Sequence, residues 1–209
     1  AAGGRPPRLV VGAGPAGGRA AELRAESGAE TIVVDGGLRA GGQIYRRPPA
    51  GFTRPYGALY GFEAAKARAL HDAFDRLEGG IDYRPETLIW NLSRGIAHSY
   101  GEATGYNEIP YDALIIATGA HDRTIPFPGW TLPGVFTLGG AQVALKYQGC
   151  AVGRRVLFCG TGPLLYLIAY QYALAGAGLA GGLDCAPLGP KLRSLSGLAA
   201  AGGVMPAKG

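Results

Sequence analysis

Six residues near the start of the chain, Gly12-Ala13-Gly14-Pro15-Ala16-Gly17, have the spacing of a diphosphate-binding turn. In this pattern the first glycine allows a tight turn, the second lets the main chain approach a pyrophosphate, and the third lets a helix pack closely against a strand. The pyrophosphate would lie at the positive end of that helix, on N–H groups without intrahelical partners. The pattern therefore indicates binding of a dinucleotide by main-chain atoms.

Asp35 supplies the second half of this signal. The segment Leu9–Val11 predicts a short strand before the turn, Pro15–Ser27 predicts a helix that ends at Gly28, and Thr31–Val34 predicts a buried parallel strand. Asp35 thus closes the second strand about twenty residues after the turn, where an acid accepts hydrogen bonds from a ribose 2′-hydroxyl. An acid here favours FAD or NAD over a 2′-phosphorylated cofactor.

A second, incomplete copy of the pattern begins at Gly160. Gly160 and Gly162 keep the first two glycines, and Asp184 stands where the ribose-binding acid belongs, but Leu165 replaces the third glycine. Because packed interiors resist added methylenes, Leu165 is expected to move the helix off the sheet by about an ångström or more. Three interpretations stay open: a relic without turnover, which is favoured, a structural or regulatory nucleotide such as ATP or NAD, and a working NADH site.

The sequence offers no redox, nucleophilic or metal-binding group of its own. Its three cysteines, Cys150, Cys159 and Cys185, have neither C-x-x-C nor metal spacing, which fits a reducing compartment. Cys159 lies in a strand-like run and is expected to be a small buried hydrophobe. The catalytic residues therefore stay unknown and no metal is expected, and any redox chemistry would belong to a cofactor.

The three histidines form no ligand pattern, and each is interpreted as a surface or turn residue. They are His71, His98 and His121. His121 is the one that follows the strand exit at Thr118 and Gly119, which places it nearest the expected nucleotide.

Strands that alternate with helices predict an α/β fold with a parallel sheet and right-handed crossovers. We expect two Rossmann-like dinucleotide-binding units and a small β meander. Further helices are predicted at Tyr60–Leu77, Leu138–Tyr147 and Pro163–Ala175. Further strands are predicted at Ile81–Tyr83, Thr87–Leu92 and Gly95–Tyr100, which would form the meander, and at Ala113–Ile116, Arg155–Cys159 and Leu179–Leu183.

Composition excludes several classes of function. The formal charge is +5, but the basic residues are scattered and form no stripe with interleaved aromatics, so a nucleic-acid partner is not expected. No apolar run reaches the roughly 18 residues of a transmembrane segment. The expected location is cytoplasmic, with peripheral association at the inner face of the membrane left open.

Four stretches together carry a family resemblance: "GAGPAG", Asp35, "GGQIYRRPP" and "IIATGAHDRTIPFPG". With them the chain resembles the two-dinucleotide-domain flavoproteins related to the pyridine nucleotide-disulfide oxidoreductases. Within these it is most similar to the larger flavin subunit of bacterial opine dehydrogenases (opine oxidases), hydrogen cyanide synthase and related amino-acid dehydrogenases. The resemblance implies an FAD-binding domain over residues 1–150 and part of an NAD-type domain over 151–209, so the chain is expected to be truncated.

The resemblance also implies which residues lie beside the FAD. It adds the loop glycines and Gln43, the Thr-Gly strand exit, and Arg46, for which a phosphate contact and an exposed loop position are equally open. An acid that such subunits often carry after Asp35 is Gly36 here. The expected cofactor-binding residues are Gly12, Gly14, Pro15, Ala16, Gly17, Asp35, Gly41, Gly42, Gln43, Arg46, Thr118 and Gly119, with a doubtful second site at Gly160, Gly162 and Asp184.

The implied function is that of an FAD-binding component in a multi-subunit dehydrogenase, which oxidises the C–N bond of an amino acid or opine and relays electrons to an external acceptor. Its implied partners are a small iron–sulfur subunit together with a catalytic subunit that contains FAD or FMN. Two alternatives stay open. One is a self-contained NAD(P)H-dependent reductase of an iron–sulfur protein, and the other is a non-catalytic scaffold stabilised by a nucleotide.

Overall fold

The computed structural model describes residues 6–28, 30–187 and 189, and these divide into two compact units. The first unit contains the described residues up to 47 together with 68–120. The second contains 48–67 and the described residues from 121 onwards. The predicted boundary between the two nucleotide-binding domains, at 150/151, stays a prediction. Residues 188 and 190–209 of the second domain lie outside the described residues.

The described residues form helices and strands that alternate through much of the chain. In order these are β1 (Arg8–Val11), α1 (Pro15–Glu26), β2 (Thr31–Val34), α2 (Tyr56–Tyr60), a 3-10 turn (Gly61–Glu63), α3 (Ala64–Asp75), β3 (Asp82–Arg84), β4 (Thr87–Ser93), β5 (Ile96–Gly101), β6 (Gly105–Pro110), β7 (Ala113–Ile116), α4 (Leu138–Lys146), β8 (Arg155–Gly160), α5 (Pro163–Leu174) and β9 (Gly178–Asp184).

A four-stranded parallel sheet with the order β3-β2-β1-β7 organises the first unit. Strands β1 and β2 are short, apolar and buried on both faces, as central parallel strands must be. One face packs beneath α1 and α3 in a cluster that includes Val10, Val33 and Phe74. The other face, with Leu9 and Ile32, packs against the meander. The expected α/β fold is confirmed in this unit.

The meander differs from the prediction in its membership. The predicted strand Ile81–Tyr83 appears as β3, which pairs in parallel with β2 and joins the main sheet. The antiparallel meander instead consists of β4, β5 and β6, so the prediction missed its third strand, Gly105–Pro110. Sequence pattern hid β6 because "GYNEIP" contains a single buried apolar residue, Ile109.

The predicted helix Tyr60–Leu77 is interrupted. Helix α2 ends at Tyr60, a 3-10 turn follows, and α3 begins at Ala64. Gly61 has φ of +59°, and a Cβ at this position would lie 2.7 Å from a ring carbon of Tyr170. The break therefore depends on a residue without a side chain.

The second unit contains the parallel pair β8–β9 with α4 and α5. Its core combines Phe158 of β8 with Leu165, Ile168 and Tyr172 of α5. Strand β8 was predicted to be buried, but Phe158 is its one buried residue, and Cys159 is exposed rather than a buried hydrophobe. Alternation explains the correction, since neighbouring residues of a strand face opposite sides and α5 covers only one side.

Candidate dinucleotide site

The glycines at both ends of the first fingerprint are required by the fold itself. Gly12 has φ of +105°, and a Cβ there would lie 2.3 Å from the carbonyl oxygen of Ala117 at the exit of β7. A Cβ on Gly17 would lie 1.7 Å from the carbonyl oxygen of Gly12. The main chain of the turn thus contacts the main chain at the start of α1 and at the exit of β7.

Gly14 is different, because protein atoms do not require a glycine there. Its φ of −74° is open to any residue, and a Cβ would make only an ordinary contact of 3.6 Å with the Cα of Gly42. Helix α1 begins after Gly14 with Pro15 and has no side-chain cap. As first-turn residues, Ala16 and Gly17 have no intrahelical acceptor for their N–H groups. The missing side chain and the uncapped helix end leave room for an anion.

Asp35 links the end of β2 to the fingerprint turn. Its Oδ2 accepts a hydrogen bond from the Ala13 N–H at 2.5 Å, and its Oδ1 accepts one from the Gly37 N–H at 2.6 Å. A carboxylate oxygen has more than one lone pair, so each can accept a further bond from a ribose hydroxyl. The structure places the predicted acid directly beside the predicted turn.

The loop 41–47, "GGQIYRR", forms a second wall beside Gly14. Gly41 donates its N–H to the Ala13 carbonyl at 2.9 Å, and Gly42, at φ +64°, would bring a Cβ within 2.9 Å of the Gly14 Cα. Both glycines were predicted to lie beside the cofactor, but protein contacts alone already explain why neither has a side chain. Gln43 is exposed, whereas Arg46 is half-buried rather than an exposed loop arginine.

The Thr-Gly strand exit also reaches the turn. Ala117 donates its N–H to the Val11 carbonyl at 2.8 Å, and the main-chain nitrogen of Thr118 is 3.2 Å from where a Gly12 Cβ would be. Gly119 has φ of +77° and meets no described atom within 4 Å of an added Cβ. Thr118 therefore adjoins the fingerprint, while Gly119 lies in the open segment that follows.

The second fingerprint has a different backbone. Gly162, the equivalent of Gly14, has φ of +97°, whereas Gly14 has φ of −74°. Gly160 has φ of +159°. Leu165, equivalent to Gly17, is 3% exposed and belongs to the core of the second unit. Since even a Cβ would collide at Gly17, α5 cannot start against its strand as α1 does. The expected displacement of α5 by Leu165 stays a prediction.

Asp184 is also engaged differently from Asp35. Its Oδ2 accepts a hydrogen bond from the Tyr166 hydroxyl at 2.5 Å, and its Oδ1 accepts one from the Ala186 N–H at 2.8 Å. The bond to Asp184 raises the pKa of the Tyr166 phenol. Tyr166 occupies the position that Gly18 has in the first fingerprint. A ribose hydroxyl at Asp184 would have to compete with this phenol.

Two buried side chains beside the first fingerprint were not found from the sequence. His71 was interpreted as a surface or turn residue, but it is 1% exposed, and its Nε2 is 2.7 Å from the Tyr45 carbonyl oxygen. Arg47 is 8% exposed and pairs with Asp75. No sequence signal marks either contact, because each joins residues more than twenty positions apart.

The pattern of the pyridine nucleotide-disulphide oxidoreductase family matches residues 7–180. The chain belongs to this family. One of the opine oxidase subunits of Rhizobium meliloti is 40% identical over 177 residues, which are 80% of this chain and 33% of that protein. The HcnB component of hydrogen cyanide synthase from Pseudomonas aeruginosa is 37% identical over 187 residues, 88% of this chain and 40% of that protein. The family resemblance inferred from the motifs is confirmed.

Comparison with solved structures supports the same fold. The L-proline dehydrogenase from P. horikoshii superposes with a TM-score of 0.67 at 19% identity, over 85% of this chain and 35% of that chain. At this identity the likeness establishes the fold alone. The chain spans about a third of the length of that structure and of the opine oxidase relative.

The chain belongs to a family of FAD-dependent oxidoreductases, and FAD is its cofactor. The open space at Gly14, where a Cβ would fit, and the uncapped helix end beside it are compatible with the diphosphate of that cofactor. Among the described residues, every helix is too short or too polar to cross a bilayer. Within those same ranges, no three His, Cys, Asp or Glu side chains are grouped to hold a metal ion.

Proposed function

We propose that the chain is the FAD-binding part of a multi-subunit dehydrogenase that oxidises the C–N bond of an amino acid or opine and relays the electrons to an external acceptor. Residues 1–150 form the FAD domain in this proposal, and 151–209 form part of the second domain. The proposed partners are a small iron–sulfur subunit together with a catalytic flavin subunit. The names of the opine oxidase and hydrogen cyanide synthase relatives support both the substrate class and the multi-subunit assembly.

The observation that carries the FAD-binding part of the proposal is Gly14, a glycine that protein contacts do not require. The fold forbids a side chain at Gly12 and Gly17, yet it tolerates a Cβ at Gly14. A glycine at a position where the fold does not need one is explained by close approach of a ligand. The uncapped start of α1 faces the same crevice and favours an anionic group there.

In this proposal the residues of the chain bind and orient FAD. The Ala16 and Gly17 N–H groups donate to the diphosphate, and Asp35 accepts from the adenosine ribose. Gln43, Arg46 and Thr118 line the remaining path. FAD supplies the two-electron acceptance, because the sequence has no C-x-x-C pair that could do so.

The second fingerprint is proposed to be a relic of duplication that does not support hydride transfer from NADH. Leu165 occupies the position equivalent to Gly17, the residue at which α1 packs against its strand. Tyr166 already donates a hydrogen bond to Asp184. Both features distinguish it from the first fingerprint. A self-contained NAD(P)H reductase is therefore the less favoured function.

The test is anaerobic reduction of the purified holoprotein, in its complete native complex, followed by its visible spectrum. The flavin bands should bleach when an amino-acid or opine substrate is added and should stay unchanged with NADH or NADPH. A complex without a flavin spectrum would refute the proposal. Bleaching by NADH at the rate of turnover would instead favour the reductase.

A further inference from the structure

Two side chains attach the loop 41–47 to helix α3. The loop has no helix or strand of its own, and its first residues form the wall that faces Gly14. A loop that must keep a fixed distance from a ligand needs anchors elsewhere. His71 and Asp75, one helical turn apart on α3, provide the points of attachment.

His71 holds the middle of the loop. Its Nε2 is 2.7 Å from the carbonyl oxygen of Tyr45, and the side chain is almost fully buried. A carbonyl oxygen only accepts, so Nε2 carries the hydrogen and donates it. Removing this donor would break the hydrogen bond that holds the part-buried Tyr45 carbonyl to α3.

Arg47 holds the end of the loop. Its guanidinium donates to the His71 carbonyl oxygen at 3.0 Å and makes two bonds to the Asp75 carboxylate, at 3.0 and 2.8 Å. This paired geometry matches the planar fork of a guanidinium and a carboxylate, which the single ammonium group of a lysine cannot reproduce. The arginine thereby fixes the loop to two successive turns of α3.

These anchors are connected to the fingerprint turn by close contacts. Gly41 lies against the anchored carbonyl, since a Cβ on it would be 2.3 Å from the Tyr45 oxygen and 3.0 Å from His71 Nε2. The next residue, Gly42, lies against the Gly14 Cα. Neither Gly41 nor Gly42 has space for a Cβ between its neighbours. We therefore expect a displacement of the Tyr45 carbonyl to change the position of Gly42 relative to Gly14.

We propose that His71 and Arg47 are positioning residues for FAD, which hold the loop 41–47 at the distance from Gly14 that the diphosphate requires. The inference rests on the proposed binding of FAD at the first fingerprint. Neither residue needs to touch the cofactor. They act through the main chain of Tyr45, Gly41 and Gly42.

The experiment measures the rate at which FAD leaves the holoprotein after dilution, by the rise in flavin fluorescence. His71→Ala should release FAD about tenfold faster, the effect expected when one hydrogen bond that holds the loop to α3 is lost. His71→Gln, whose amide N–H can still reach the Tyr45 oxygen, should release it within about threefold of wild type. Arg47→Lys should lie between Arg47→Met and wild type, because it keeps the charge and loses the fork.

Asp72→Ala is the matched control, because Asp72 is the exposed neighbour of His71 on the same helix. It should release FAD at the wild-type rate. If His71→Ala does not fold, the two Arg47 variants decide, measured below their melting temperatures. Wild-type release from both Arg47 variants, or release from a folded His71→Gln as fast as from His71→Ala, would overturn the inference. A wild-type protein that holds no FAD would refute the proposed function instead.

Discussion

Replacing Gly14 and Gly17 in turn separates the part of the fingerprint that serves the ligand from the part that serves the fold. At Gly14 the backbone has φ of −74°, and an added Cβ is 3.6 Å from its nearest described neighbour, the Gly42 Cα. Gly14→Ala gains a little from restricting the unfolded chain and loses a little at the N-cap. Its free energy of unfolding, without cofactor, should therefore remain within about 1 kcal/mol of wild type.

Gly17→Ala should behave in the opposite way. Its Cβ would lie 1.7 Å from the Gly12 oxygen, and real Cβ contacts are essentially never shorter than 3.0 Å, so α1 must move by the difference, about 1.3 Å. Overpacking of this kind costs about 1–3 kcal/mol or more in a packed interior. Gly17→Ala should therefore lower the melting temperature of the cofactor-free protein as well as its FAD content.

Thermal unfolding of the cofactor-free proteins and FAD content of the purified proteins together form the assay. Gly14→Ala should melt near wild type with weakened FAD retention, and Gly14→Val should fold and retain none. A Gly14→Val protein with full FAD content would refute the argument, because the second glycine would then have no ligand to admit. Equal destabilisation by Gly14→Ala and Gly17→Ala would also contradict it.

Three further predictions concern neighbouring groups. Asp35→Asn should lower stability by about 1–3 kcal/mol in chemical denaturation and weaken FAD binding, because the asparagine Nδ2 is a donor and would face one of the two N–H groups, of Ala13 and Gly37, that the carboxylate accepts from. Leu165→Gly should destabilise the protein by about 2–5 kcal/mol or more through the cavity it leaves, without creating NADH oxidation in a steady-state assay. Burial, with the nearby charges of Arg47 and Arg39, lowers the pKa of His71, although Asp75 and the Tyr45 carbonyl oppose this. The unfolded chain then binds a proton that the folded one does not, so stability should fall as pH drops through about 6.5, and melting curves of His71→Gln should show less of this loss.

The segment from β1 to β2 could be predicted closely because each of its signals is local. Apolar runs mark both strands, Pro15 suits the first helical position, and Gly28, at φ +66°, ends the helix. The observed α1 stops at Glu26, one residue short of the predicted end. The fingerprint was predictable for the same reason, since its function depends on main-chain geometry that glycine alone permits.

The assignment of strands to sheets could not be predicted in the same way. The segment around Tyr83 and the segments that follow it are all short and of mixed polarity, and pairing between distant strands decides which sheet each joins. β3 adds to the edge of the parallel sheet beside β2, whereas β4 turns away to pair with β5. The interruption at Gly61 likewise depends on Tyr170, more than one hundred positions away.

The supports of the candidate site were hidden for a related reason. His71 and Arg47 look like ordinary polar residues of a helix and a loop. Only the folded chain shows that His71 bonds to the Tyr45 carbonyl and that Arg47 bonds to the His71 carbonyl. Asp35 was predicted from spacing, but its bond to the Ala13 N–H was not. Spacing thus identified the groups expected to meet the ligand, while the contacts that hold them came from tertiary packing.

An experimental density map of the complete holoprotein would test the central claim most directly. We expect an FAD diphosphate within hydrogen-bond distance of the Ala16 and Gly17 N–H groups, against the Cα of Gly14, with the adenosine ribose beside Asp35. A map in which side chains fill that crevice, or in which the flavin nucleotide lies at another place, would contradict it.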